Sequence, residues 1–176
     1  MTGQYTLGQT EQAVEARLSG LSIDRSAMAA IGNLYRAAGV VRNHFERTVL
    51  AEHGLTWTAW VVLWVVWVWD DIETRHAASE AGISKSTLTG VVTTLEGRSL
   101  VKRRAHPADG RRVLLSLTPR AKRLMEQLFP VFNTREADAV SALSRGEVEE
   151  FTTSLRKIIQ HLEAADGVAP AQDPHA

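Results

Sequence analysis

The middle of the chain predicts two successive helices that are joined by a glycine and followed at once by a β-hairpin. The first helix, Ile72–Ala81, begins where Asp70 and Glu73 resemble a capping box, and Gly82 ends it. Ser84 is a plausible N-cap for the second helix, which continues almost to the hairpin. This order of elements restricts the fold more than any other feature of the sequence.

The hairpin carries its own turn and exit signals. Val101–His106 and Val113–Leu117 have the composition of strands, and residues 107–110, Pro-Ala-Asp-Gly, supply the turn between them. Thr118 and Pro119 then form a strong helix start, with the threonine as N-cap and the proline in the first turn. We therefore expect a mainly α fold with a small β-hairpin.

Helical patterns flank this unit on both sides. Apolar residues recur every three or four positions over Asp24–His53, which predicts one long amphipathic helix. Trp57–Trp69 is apolar nearly all round, as expected of a buried helix. After the hairpin, a helix over residues 119–142 precedes a last helix that Ser144 and Glu147 open with a capping box.

The charges are concentrated although the formal net charge is zero. Residues 98–123 hold nine basic residues and one acidic residue, so this stretch carries +8 and the rest of the chain −8. Such a segment is expected of a protein that contacts a polyanion, and a solvated basic face explains it equally well.

The sequence argues against a secreted protein, a membrane protein, a metal-binding protein and an enzyme. The chain has no cysteine, its N-terminus lacks the pattern of a secretory signal, and its longest apolar run, Trp57–Trp69, is shorter than a membrane span. No phosphate-binding loop or hydrolase motif is present, and the six histidines are scattered. We expect a cytoplasmic protein that is not an enzyme, with no cofactor, no metal and no membrane contact.

The second helix of the central unit has an unusual exposed face. Opposite its apolar stripe lie small hydroxyl residues and glycines without carboxylates, which can lie deep in a DNA major groove. An ordinary surface helix is the alternative, although such helices favour longer polar residues. In the hairpin, Arg111 can enter the minor groove, and Asp109 can hold its guanidinium by a bidentate pair; the alternative is a solvated charged loop.

The runs 82–89, 95–103 and 109–119 resemble the MarR family of transcriptional regulators. The hairpin matches that family's Asp-x-Arg, apolar strand and Leu-Thr-Pro at fixed spacing. The resemblance implies a six-helix winged helix-turn-helix protein, with a dimer interface built from the N- and C-terminal helices. It also implies that the helix after Ser84 reads the major groove and that Arg111 enters the minor groove. The residues expected to contact DNA are Ser84, Lys85, Ser86, Thr87, Thr89, Gly90, Thr93, Thr94, Arg98, Arg103, Arg104, Asp109, Arg111 and Arg112.

The resemblance gives each part of the chain an expected role. The segments are residues 1–23, an N-terminal arm or short extra helix; 24–55, a dimerisation helix; 56–118, the winged helix-turn-helix DNA-binding domain; 119–166, dimerisation helices; and 167–176, a disordered tail. The expected function is a homodimeric, sequence-specific regulator, a repressor, on a near-palindromic operator of double-stranded DNA. The alternative is a winged-helix module that binds another protein without specific DNA binding.

A small aromatic ligand is a further expectation, because many members of this family bind one between the dimer helices and the winged domain. Trp57, Trp60 and Trp64, with His53 nearby, can line such a cleft. The alternative is that these tryptophans belong to the core, and we favour it, because large aromatic side chains dominate cores.

Overall fold

The computed structural model describes residues 5–167, so residues 1–4 of the expected arm and 168–176 of the expected tail lie outside the described residues. Its contacts divide the chain into a first unit that ends at Asn133 and a second that begins at Thr134. The helices are α1 (Leu7–Leu18), α2 (Arg25–Phe45), α3 (Trp57–Trp69), α4 (Thr74–Glu80), α5 (Lys85–Gly97), α6 (Pro119–Ala139) and α7 (Arg145–Ala165), and the strands are β1 (Ile72–Glu73), β2 (Val101–His106) and β3 (Asp109–Leu117).

The predicted fold class is confirmed, with two additions. Within residues 5–167 there are seven α-helices: the expected six and α1, which lies in the segment 1–23 that was expected to be an arm or a short extra helix. The hairpin β2–β3 is extended by β1 into a three-stranded antiparallel sheet of order β1-β3-β2. We call β2, β3 and the turn between them the wing.

Four helix starts follow the sequence closely. Thr56, Ser84 and Ser144 accept hydrogen bonds from backbone N–H groups three residues on, and Ser144 completes the predicted capping box with Glu147. The hydroxyl of Thr118 accepts from the N–H of Ala121 at 3.1 Å in the first turn of α6. Each cap satisfies a backbone donor that would otherwise lack a partner at a helix start.

The long helix predicted over Asp24–His53 is present as a continuous helical run from Arg25 to His53, but its winding changes near the end, which was not predicted. α2 ends at Phe45 and passes into a π-helix, Glu46–Leu50, and then a 3₁₀ turn, Ala51–His53. Phe45 is the one buried side chain of α2, whereas the π-helix buries Val49 and Leu50. The wider turn thus accompanies entry into the core, and Gly54, with a left-handed φ of 60°, ends the run.

The prediction of a capping box at Asp70 and of a helix from Ile72 was wrong. Ile72 and Glu73 form strand β1, paired with Leu115 and Leu114 of β3, and α4 starts only at Thr74 without a side-chain cap. Backbone pairing with β3 replaces the first helical turn. Asp70 and Asp71 both have positive φ, 37° and 44°, in the turn before β1.

The core of the first unit is built around α3. This helix buries Trp60, Val62, Leu63, Val65 and Val66, and buried apolar side chains of α4, α5, the sheet and α6 belong to the same cluster. The predicted burial of α3 is confirmed except at its end, where Val68 and Trp69 are exposed. No single helix among the described residues is long and apolar enough to span a membrane; only the bent pair Arg25–His53 and Trp57–Trp69, at 76°, has that length and composition.

The second unit contains the end of α6 and all of α7. α6 ends at Ala139, earlier than the predicted end at residue 142. α7 is amphipathic, yet none of its side chains is buried, and Phe151, Ile159 and Leu162 are exposed.

Candidate nucleic-acid interface

Helix α5 presents one apolar and one polar face, as predicted. Leu88, Val92 and Leu95 are buried in the core of the first unit. The residues on the opposite side that were expected to meet DNA are exposed: Ser84, Lys85, Ser86, Thr87, Thr89, Gly90, Thr93 and Thr94. A Cβ built on Gly90 meets nothing within 4 Å, so no other part of residues 5–167 covers this face of α5 at Gly90. A large ligand such as DNA can therefore approach the helix there.

The threonine hydroxyls on this face donate their protons to the helix itself. Thr89 donates to the carbonyl of Lys85 at 2.9 Å and Thr93 to that of Thr89 at 2.9 Å. Thr94 does the same to Gly90 at 3.1 Å. The protons of these three hydroxyls are thus engaged within the helix, and the oxygen of Thr93 also accepts from the guanidinium of Arg103 at 3.3 Å. The three threonines therefore offer DNA acceptors and no free donors in this arrangement.

The wing tip places Arg111 differently from its neighbour Arg112. The carboxylate of Asp109 accepts from the backbone N–H of Arg111 at 3.1 Å and pairs with the guanidinium of Arg112 at 3.3 Å. Arg112 also pairs with Glu73 of β1 at 3.1 Å. The predicted bidentate pair between Asp109 and the Arg111 side chain was therefore wrong, since Arg112 lies three residues from Asp109 on the same strand and occupies its carboxylate.

Two arginines of β2 are held by carboxylates of the first unit. Arg103 pairs with Glu96 of α5 at 2.6 Å, and its guanidinium also reaches the Thr89 carbonyl at 3.3 Å. Arg104 pairs with Asp71 at 2.6 Å. The hydrogen bond from Arg104 is the main reason that the pKa of Asp71 lies below its ordinary value. These pairs tie the first strand of the wing to α5 and to the turn before β1.

Arg98 is directed away from the exposed face of α5. Its guanidinium donates to the backbone carbonyls of His53 and Gly54, both at 2.7 Å, at the end of the helical run that begins with α2. The N–H groups that Arg98 donates to these two carbonyls cannot bind a DNA phosphate at the same time.

Four of the nine cations of the basic segment are thus paired with carboxylates of the chain itself. Of its nine cations, Arg98, Arg103, Arg104, Arg112 and Lys122 have carbonyl or carboxylate partners. Among residues 5–167, the members of this segment with neither an ion pair nor a carbonyl partner for the side-chain cation are Lys102, Arg111, Arg120 and Arg123; Arg98 has no ion pair but donates to two carbonyls. The +8 of the sequence overstates the charge that can face a polyanion.

Sequence reasoning missed three acidic partners of the basic segment. Asp70, Asp71 and Glu73 hold Lys122, Arg104 and Arg112 across 52, 33 and 39 residues of chain. The only signal was the presence of three carboxylates beside a strongly basic segment, and it does not say which pairs form.

The four residues expected to line a ligand cleft have different environments. Trp60 is only 4% exposed and stacks on Phe132, with ring centroids 4.5 Å apart. Trp57 and Trp64 are partly buried, and Trp64 stacks on Phe129 at 4.9 Å. His53 is exposed and uses its carbonyl to accept from Arg98. This arrangement favours the core interpretation for Trp60, and the ligand cleft stays a prediction.

Comparison with known proteins identifies transcriptional regulators as relatives of this chain. The sequence model that represents the MarR family matches residues 55–113 of this chain. The chain is 35% identical over 141 residues to the uncharacterized HTH-type transcriptional regulator YwaE of Bacillus subtilis (strain 168), covering 80% of this chain and 82% of that protein.

Solved structures share the same architecture. BpsR of Bordetella bronchiseptica, whose DNA binding is regulated by 6-hydroxynicotinic acid, is 26% identical, with a TM-score of 0.68 over 74% of this chain and 98% of BpsR. AbsC of Streptomyces coelicolor, a MarR family transcriptional regulator, is 20% identical, with a TM-score of 0.71 over 82% of this chain and 99% of AbsC. At that identity AbsC supports the fold alone.

Proposed function

The chain belongs to the MarR family of transcriptional regulators, and from this premise we propose that it is a homodimeric repressor that binds a near-palindromic DNA operator. The observation that carries the proposal is that one compact unit combines α5, which has an exposed face without carboxylates, with a wing whose Arg111 has no ion pair. A helix fits the major groove and a lone arginine fits the narrow minor groove.

The wing contributes charge and α5 contributes shape. Arg111 supplies the cation for the minor groove, and the hydroxyl oxygens and methyl groups of α5 approach base edges. Arg103, Arg104 and Arg112 then act mainly by holding the wing, because carboxylates of the chain already pair with them. The proposal also places the protein in the cytoplasm, where the DNA that it binds is located.

The proposed homodimer rests on apolar surface that each unit leaves uncovered. In the first unit, α2 exposes Ile31, Tyr35 and Val40, and Tyr35 is 77% exposed. In the second unit, α7 buries nothing and exposes Phe151 among other apolar residues. Contiguous exposed apolar residues at helical spacing are typical of an interface, and a symmetric dimer presents two copies of α5 about one DNA turn apart.

We further propose that a small aromatic ligand releases the protein from DNA. The DNA binding of BpsR, a relative in fold, is regulated by 6-hydroxynicotinic acid, and Trp57 and Trp64 are partly exposed here. All five tryptophans lie in α3, so a ligand bound beside them quenches the intrinsic fluorescence. A panel of aromatic acids that includes 6-hydroxynicotinic acid tests this, and no quenching together with no effect on DNA binding would contradict it.

The test of DNA binding is a fluorescence-anisotropy titration with two duplexes across a salt series. One duplex is the promoter region beside the protein's own gene, and the other has the same length and a random sequence. We expect tighter binding to the promoter, and Arg111→Ala to weaken it at least tenfold and lower the log–log salt slope by about 0.9 per phosphate lost.

Arg123→Ala is the matched control. It removes one cation that also lacks an ion pair but lies on α6, outside the wing, and it leaves binding close to that of the parent protein. If the parent binds both duplexes equally and Arg111→Ala changes nothing, the alternative of a winged-helix module for protein binding is favoured.

A further inference from the structure

Arg98 joins the ends of two helical segments. It is the C-cap residue of α5, where its own backbone N–H donates to the carbonyls of Glu96 and Thr94. Its guanidinium reaches back 44 and 45 residues to the carbonyls of Gly54 and His53, each at 2.7 Å. The backbone of Arg98 thus caps the C-terminal end of α5, and its guanidinium caps the C-terminal end of the run that begins with α2.

The geometry on both sides of this contact is fixed by the backbone. On one side, Gly54 adopts a left-handed conformation and its N–H donates to Ala51, which closes the 3₁₀ turn. On the other side, Ser99 has a φ of 56°, and the N–H of Leu100 returns to the carbonyl of Leu95 at 2.9 Å. The planar fork of an arginine spans two neighbouring carbonyls, which a lysine ammonium does not do in the same way.

The two segments that Arg98 joins have different proposed tasks. The α2 run carries the exposed Ile31, Tyr35 and Val40, which a second copy covers in the proposed dimer. α5 carries the face that meets the major groove. In the proposed dimer, a change in the contact between them would move α5 relative to the dimer axis and so change the distance between the two copies of α5.

We propose that Arg98 is a positioning residue that sets the separation of the two α5 helices and so selects the spacing of the operator half-sites. The inference rests on the proposed function. It replaces the expectation that Arg98 contacts DNA, because the guanidinium is bound to two carbonyls of its own chain.

The experiment begins with the full-length parent protein, which selects its preferred duplex from a random-sequence pool. Three duplexes are then compared by anisotropy across a salt series: the selected one, the same duplex with one base pair added between the half-sites, and an unrelated duplex of equal length. The variants are Arg98→Ala, Arg98→Lys and Arg111→Ala, and circular dichroism and light scattering verify that each is a folded dimer.

Arg98→Ala is expected to bind the selected duplex about tenfold more weakly, in line with the loss of hydrogen bonds to a charged group. It binds the lengthened duplex nearly as well as the selected one, and its affinity for unrelated DNA and its salt slope stay unchanged. Arg98→Lys gives an intermediate spacing preference. Arg111→Ala instead keeps the spacing preference and loses part of the salt slope. If Arg98→Ala does not fold, the same comparison of the three duplexes is made with Arg98→Lys and Arg98→Gln, and loss of the spacing preference in them tests the proposal.

Two results would overturn the inference while the proposed function stands. One is a variant that keeps the parent's full preference for the original spacing. The other is equal weakening on all three duplexes with a slope lower by about 0.9, which identifies Arg98 as a phosphate contact. A parent protein that selects no duplex at all overturns the proposed function, and this inference with it.

Discussion

Replacing Phe132 with alanine tests whether the tryptophans of α3 form a core or line a cleft. Phe132 is 4% exposed and lies against three aromatic rings of the first unit. Its ring centroid is 4.5 Å from that of Trp60 at an interplanar angle of 23°, 4.7 Å from that of Phe45 and 6.2 Å from that of Trp57. The substitution removes the side chain on which Trp60 stacks.

The expected cost follows from that burial. Truncating a buried phenylalanine to alanine costs about 3–5 kcal/mol, because apolar burial is lost and a cavity remains. With the loss of the ring contacts included, we expect Phe132→Ala to lie near the middle of this range, at about 4 kcal/mol. With a urea dependence of about 2 kcal/mol/M, the unfolding midpoint falls by roughly 2 M.

The assay is urea unfolding at one fixed protein concentration, followed by both tryptophan fluorescence and circular dichroism. The concentration is held constant because the stability of a dimer depends on it. Phe129→Ala is the matched control: Phe129 stacks on Trp64 at 4.9 Å but is only partly buried, so its truncation costs less. The fluorescence of folded Phe132→Ala also shifts to the red as water reaches Trp60.

A cost of Phe132→Ala below about 1 kcal/mol, or no greater than that of Phe129→Ala, would contradict tight packing of the Phe132 ring, because removing a packed ring costs more. Trp60 would then lie beside a space that can be left empty at little cost in stability. That result would favour the ligand-cleft interpretation over the core interpretation.

Three further predictions concern the dimer and the wing. Tyr35→Glu places a charge on the exposed apolar face of α2 and shifts the protein to monomers in light scattering; an unchanged dimer would exclude this face. Asp71→Asn lowers the urea midpoint at neutral pH. Because Arg104 lowers the pKa of folded Asp71, the pair stabilises above the unfolded pKa, so the difference from the parent disappears as pH falls through the folded pKa; a pH-independent difference would contradict this. Glu96→Gln frees Arg103 and raises hydrogen-exchange rates in β2 while α3 is unaffected, whereas unchanged rates in β2 would show that the pair does not hold the wing.

Local signals predicted the helix starts and the order of elements. The caps at Ser84 and Ser144 are correct because each involves atoms only three residues apart, whatever the rest of the chain does. The exposed face of α5 was predictable for a similar reason, since helical periodicity alone assigns Leu88, Val92 and Leu95 to the other side.

The errors arose where distant segments compete with local preference. Ile72 and Glu73 resemble the start of a helix in sequence, but β3 pairs with them from more than 40 residues downstream. The end of the α2 run became a π-helix where Val49 and Leu50 enter the core. In both places tertiary contacts outweigh a local propensity that amounts to about 1 kcal/mol per residue or less.

The amino-acid sequence by itself determined the order of the helices, the caps at Thr56, Ser84, Thr118 and Ser144, the hairpin of the wing and the family, because these depend on short-range patterns. Only the tertiary structure decided which cations remain open to DNA, since carboxylates and carbonyls 33 to 45 residues away occupy Arg104, Arg112 and Arg98. A sequence records how many charges a segment has. Which of them are already paired depends on distances of a few ångströms that exist only after the chain has folded.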